Sequence, residues 1–104
     1  MERIAFRMRL KPGMLAEYRR RHDEIWPELA MALKAAGIHD YRIFHDADTD
    51  LLFATLLREE GHGMDALPDL PVMRRWWAAM APLMEVAADD SPRSWPLTEV
   101  FLLP

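Results

Sequence analysis

Cysteine is absent from the 104-residue sequence, so the chain forms no disulfide, offers no thiolate nucleophile and supplies no cysteine to a zinc cluster. Glycine is scarce, at four residues, and none of the four stands in a phosphate-cradling or dinucleotide-binding pattern. A nucleophile elbow is missing as well. Nucleotide cofactors are therefore not expected. No apolar run approaches the roughly 20 residues of a membrane-spanning helix, and the opening Met1-Glu2-Arg3-Ile4-Ala5-Phe6 lacks the continuous apolar core of a secretory signal. Positive charge is not in excess: 13 basic against 17 acidic residues leave a formal charge of -4, which disfavours nucleic acid or an anionic membrane as partner. Together these absences predict a cytoplasmic protein that binds neither polymer nor bilayer.

What the chain has in quantity is methionine and tryptophan, eight and four residues, types that gather in pockets and interfaces. The length allows one domain, residues 1–104, with no internal repeat, linker or low-complexity segment. A domain of this size buries only about two-thirds of its unfolded surface, so self-association would add burial. A homodimer is the expected form.

Ile4, Phe6, Met8 and Leu10 alternate with Arg3, Arg7 and Arg9, the pattern of a strand with one buried face. After Lys11-Pro12-Gly13, a helix is predicted from Met14 to Ala36, closed by Gly37. Pro27 should kink it near Asp23 or break it into two. Residues 38–46 read as a second strand with Tyr41, Ile43 and His45 on one face. The apolar run Leu51 to Leu57 reads as a third strand, covered on both faces and joined to the second as a hairpin. Gly61, Gly63, Pro68 and Pro71 make the next stretch irregular, with one helical turn at Met64 to Leu67. A further helix is predicted from Val72 to Met84, a polar loop from Ala87 to Pro96, and a last strand from Glu99 to Leu103. Strand, helix, hairpin, helix, strand is the order of an α+β ferredoxin-like sandwich with helices on one face of the sheet. Two such sheets packed face to face would give a dimeric α/β barrel.

Positions 14, 18, 22, 25, 29, 33 and 36 form the apolar stripe of the first helix, and only Tyr18 and His22 carry polar side-chain atoms into it. An imidazole that exchanges a proton near neutrality beside a phenol is the start of an acid/base site. A core histidine satisfied by a hydrogen bond is the alternative. Trp76 and Trp77, adjacent on the later helix, would serve either as core or as the flat wall on which the C–H face of a sugar stacks. Arg19-Arg20-Arg21 and Arg74-Arg75 read as solvated helix flanks. His22, His39, His45 and His62 follow no recurring ligand spacing, so no metal site is expected.

The string Glu17-Tyr18-Arg19-Arg20-Arg21-His22-Asp23-Glu24-Ile25-Trp26-Pro27-Glu28-Leu29, the Tyr41 strand, Leu51-Leu52-Phe53-Ala54, Arg75-Trp76-Trp77 and Glu99-Val100-Phe101 together resemble L-rhamnose mutarotases, in the same order over the whole chain. The resemblance implies a homodimer of ferredoxin-like protomers that interconverts the α and β anomers of L-rhamnose without a cofactor. It implies that His22 is the proton donor and that Tyr18, Tyr41, Trp76 and Trp77 line the sugar. The group partnering His22 stays open among Tyr18, Tyr41, Asp23 and a bound water. The Gly61 to Pro71 segment, Trp95-Pro96 and Leu102 depart from the family's pattern. Another dimeric α/β-barrel enzyme, a small mono-oxygenase or lactone isomerase, or a non-catalytic binding module of that fold are the competing readings.

Overall fold

The computed structural model covers residues 1–104. In chain order its elements are β1 (Glu2–Arg9), α1 (Leu15–Asp23), α2 (Pro27–Ala35), β2 (Ile38–His45), β3 (Leu51–Arg58), a 3₁₀ helix (Met64–Asp69), α3 (Pro71–Met80), a second 3₁₀ turn (Ala81–Leu83) and β4 (Trp95–Leu97). The strands form one antiparallel sheet in the order β2-β3-β1-β4. Register explains which side is buried. Ile4, Phe6 and Met8 stand opposite Leu56, Ala54 and Leu52, so all six side chains share the face that the helices cover. There they join Leu29 of α2 and Val72, Met73, Trp76 and Met80 of α3 in a single core. The result is the α+β plan that the order of elements implied.

Pro27 breaks the first helix outright. It lacks the N–H that a continuous helix would need at that point, and it begins α2 in the first helical position, where that lack is harmless. Glu24, Ile25 and Trp26 form the joint. Gly37 closes α2 with a φ of +86° and donates its N–H to the Lys34 carbonyl. A Cβ there would also meet the Glu59 carboxylate at 3.1 Å, so glycine is needed on two counts.

Four expectations are corrected. The later helix ends as an α-helix at Met80 rather than at Met84, because Pro82 cannot continue the ladder and the chain tightens into the 3₁₀ turn. The helical turn placed at Met64 to Leu67 is a 3₁₀ helix that continues to Asp69. The strand expected at Glu99 to Leu103 is Trp95–Leu97 instead, beginning at the end of the segment read as loop, where it pairs with Ala5, Phe6 and Arg7. Arg7 and Arg93 lie over the Trp95 ring at 5.3 and 5.2 Å and fix that register, and Pro96 is tolerated because the strand is an edge. Lastly, β3 is covered on one face only. Leu52, Ala54 and Leu56 are buried, whereas Phe53, on the side away from the helices, is 36% exposed.

Candidate active site

α1 supplies the first two side chains. At helical spacing Tyr18 and His22 lie one turn apart, and their rings stack with centroids 4.3 Å apart and planes 33° from parallel. His22 Nδ1 lies 3.0 Å from the Tyr18 carbonyl oxygen. A carbonyl only accepts, so Nδ1 carries the hydrogen and donates it, and in the neutral ring Nε2 is left as the proton acceptor. Burial of the half-exposed ring pushes its pKa below the ordinary 6.5, against the opposing pull of that hydrogen bond and of the nearby Asp23 carboxylate. Near neutrality His22 is an uncharged base.

α3 supplies the wall. Trp76 meets the His22 ring edge-on at 5.4 Å, and Trp26 meets Trp76 edge-on at 5.1 Å. Trp77, about 100° further round the helix, borders the same space. From the sheet comes Tyr41. A bulge between His39 and Arg42 interrupts the β2 ladder, with Asp40 at a φ of +48°. The Asp40 carboxylate holds that turn by accepting from Arg3 Nη2 at 2.9 Å and Arg42 Nε at 2.8 Å. Tyr41 thus sits on the helix side of the sheet, edge-to-face with Phe6 at 6.4 Å between ring centroids.

Both phenols are withdrawn from water at their oxygens. Desolvation raises Tyr41 to about 12, although 39% of the residue's surface is open. Tyr18 is pushed higher still, by burial first and then by the neighbouring Tyr41. Each remains protonated at any physiological pH and is a hydrogen-bond donor rather than a base.

Tyr18, His22, Tyr41, Trp76 and Trp77 therefore all border one concavity, of about 1000 Å³, between α1, α3 and the sheet. Twenty of its 27 lining residues are apolar, so a polar ligand would be oriented by a small number of hydroxyl and imidazole contacts. Met64 and Leu67, from the segment after Gly61, reach this lining too. Each of the other histidine rings has its own partner: His39 pairs with Glu59 at 3.0 Å, His45 with Asp50 at 3.1 Å, and His62 Nδ1 accepts from the Met64 amide. No three His, Asp or Glu side chains converge on a metal-binding arrangement.

Two residues of this neighbourhood escaped the sequence reading. Trp26 backs Trp76 because the Pro27 break turns it inward, a consequence that periodicity along an unbroken helix does not contain. Arg21 was read with Arg19 and Arg20 as a solvated flank. Arg20 does lie at the surface, bonded to Glu17 and Glu24, but Arg21 is half-buried and donates to the Ala79 carbonyl of α3.

The comparisons with known proteins bear on the family and the fold. A family model described as L-rhamnose mutarotase matches residues 3–103. An L-rhamnose mutarotase of Acidiphilium cryptum (strain JF-5) is 62% identical over 104 residues, and one of Jannaschia sp. (strain CCS1) is 58% identical over 104 residues, each match covering 100% of both chains. The crystal structure of an L-rhamnose mutarotase from Formosa agariphila superposes with a TM-score of 0.92 at 40% identity, covering 100% of each chain. With a family model spanning nearly all of its residues and relatives this similar along their whole length, the chain belongs to the L-rhamnose mutarotase family.

Proposed function

We propose that this protein is an isomerase that interconverts the α and β anomers of L-rhamnopyranose by opening and reclosing the sugar ring. The observation that carries the chemistry is the His22 imidazole, held in one tautomer by the Tyr18 carbonyl and packed on Trp76 at the edge of the concavity. Its Nε2 takes the proton of the anomeric hydroxyl; C1=O1 forms as the C1–O5 bond breaks, and O5 receives a proton. O1 and O5 are bonded to the same carbon, so the imidazolium made in the first transfer is within reach of O5 and is its proton donor. Half a turn about C1–C2 presents the other face of the aldehyde. The same steps in reverse then give the other anomer, with no net change in protons or electrons, so no metal or cofactor is required.

Tyr18 and Tyr41, both protonated, donate hydrogen bonds to sugar oxygens, while Trp76 and Trp77 take the C–H face of the ring. Asp23 or a water serves as any second proton carrier. General acid/base catalysis is typically worth about 10² to 10⁴ in rate, and a reaction already spontaneous in water needs little beyond that and positioning.

The working form in this reading is a cytoplasmic homodimer in which two sheets pack face to face as an α/β barrel. Support comes from the face of the sheet that the helices leave bare, where Phe44 and Phe53 are exposed, and from the apolar Val100 to Leu103, each more than 70% exposed.

Saturation-transfer NMR on equilibrated L-rhamnose tests the reaction: one anomeric proton is irradiated and the other observed. Transfer accelerated by the wild type and lost in His22→Ala, with fold and dimer retained, is the expected result. A His22→Ala variant as active as the wild type would remove His22 from the chemistry. No acceleration for L-rhamnose or for related sugars would leave a non-catalytic binding module of the same fold.

A further inference from the structure

Arg21 spans from its own helix to the next. Its Nε donates to Glu17 Oε1 at 2.9 Å, one turn back on α1, and its Nη1 donates to the Ala79 carbonyl. Ala79 lies in the last turn of α3, where carbonyls have no helical donor and a cation is favoured by the helix dipole. Glu17 is gripped from its other side by Arg20. The next residue after Arg21 is His22, whose ring abuts Trp76, three residues before Ala79. Two consecutive residues of α1 thus engage successive turns of α3, one through a guanidinium fork and one through the catalytic ring.

Besides Arg21 and the His22 ring, Tyr18 is the one buried side chain that fixes the pose of α1. Nine residues are too few for a helix to be stable alone, and its C-terminal end runs directly into the Glu24 to Trp26 joint. We infer that Arg21 is a positioning residue for His22, clamping α1 to the end of α3 and so setting where the imidazole stands against Trp76 and the bound sugar. The inference rests on the acid/base role proposed for His22. Lysine replaces the fork only in part, since its ammonium keeps the charge but is a point donor on a flexible stem.

The test pairs activity with a measurement that needs no turnover. Arg21→Met, Arg21→Lys and Glu28→Gln are compared with wild type for anomer-exchange kcat and KM, for thermal midpoint, and for the NMR titration of the His22 ring in the sugar-free protein. Glu28→Gln is the control, because it opens the exposed Arg75–Glu28 pair between α2 and α3 without touching α1. The ionisable groups around His22 are Tyr18, Arg19, Arg21 and Asp23 from α1 and Tyr41 and His45 from β2. Arg21→Met removes one of these charges, which by itself raises the His22 midpoint, so Arg21→Lys, which keeps the charge, is the variant that reads position. Arg21→Met is expected to lower kcat by about tenfold or more with little change in KM, and to move the His22 midpoint upward as the ring gains water. Arg21→Lys should recover part of both effects, and Glu28→Gln should show neither.

An unchanged kcat and an unchanged His22 midpoint in Arg21→Met would overturn the inference. So would an activity loss that follows thermal stability alone while the midpoint stays fixed. If Arg21→Met does not fold, Arg21→Lys decides by the same two readings. A shifted His22 midpoint in a protein that exchanges no sugar anomers would leave the clamp standing and defeat the proposed function.

Discussion

A histidine half-withdrawn from water holds its proton less tightly, and for His22 the sign of that effect is visible in two measurements. Its folded pKa lies below its unfolded value of about 6.5. The unfolded chain therefore binds more protons as pH falls through 6.5, and His22 contributes a loss of stability on acidification that is absent above that pH. The carboxylates act lower: Glu17, held near 2 by hydrogen bonds from Arg20 and Arg21, loses its contribution only as pH falls from 4.5 toward 2. Between pH 7 and 5 the thermal midpoint of the wild type should fall more than that of His22→Asn. Over the same range the kcat/KM for anomer exchange should fall with a midpoint below 6.5, since the base form is the one that starts the cycle. A midpoint above 7 would contradict the burial argument. At this scale much could be read from spacing alone, because Tyr18 and His22 lie one turn apart on an apolar stripe whatever the helix packs against. Trp26 and Arg21 could not, since their roles depend on where α3 crosses α1.

Elements were legible wherever one period ran undisturbed. β1 alternates cleanly and β3 is an unbroken apolar run, and their register brings the small Ala54 opposite the large Phe6, so the sheet leaves room for the helices above it. Errors arose where local chemistry cut a period short or a polar segment paired: Pro82 ended α3 early, and the last strand is Trp95–Leu97, paired with β1, rather than the apolar Glu99 to Leu103. α2 shows how an element far from the chemistry supports it. Leu29, 1% exposed, anchors α2 to the core, and α2 begins at the residue after Trp26, which braces Trp76. Leu29→Ala should cost about 2 to 5 kcal/mol of stability, the usual range for a buried leucine deleted to alanine. Urea unfolding measures this. A loss under about 1 kcal/mol would mean that α2 is only loosely docked and that Trp26 takes its place for another reason.

For the molecule as a whole, the bare face of the sheet is the feature that a single chain does not account for. Phe44 and Phe53 are cross-strand neighbours there, with Arg7 paired to Phe53 on the other side. A positively charged rim would oppose a second copy of itself, yet these arginines are already engaged: Arg3 with Asp40, Arg7 over Trp95, and Arg42 with Asp40. Arg3 and Arg42 share one carboxylate and an indole removes no charge from Arg7, so these side chains are held to their own chain with a net positive charge left over, and the apolar contact on this face is the phenylalanine strip. The sequence alone hid this. The run Leu51 to Leu57 reads as covered on both faces, and only the structure separates the face that the helices bury from the face that they leave exposed. Phe53→Arg adds an unpartnered cation next to Arg7 at the centre of that strip while leaving the helix-side core untouched. It should convert a dimer into a monomer with the circular dichroism of the wild type, as read by sedimentation equilibrium at micromolar concentration. A variant that stays dimeric, or a wild type that is already monomeric, would show that the bare face is not the contact and would refute the barrel. Because Phe53, unlike its neighbour Phe44, is not among the residues that line the concavity, a folded Phe53→Arg monomer also separates assembly from catalysis. Retained anomer exchange would mean that each protomer holds a complete site, and its loss would mean that the second copy is needed to hold the site in shape.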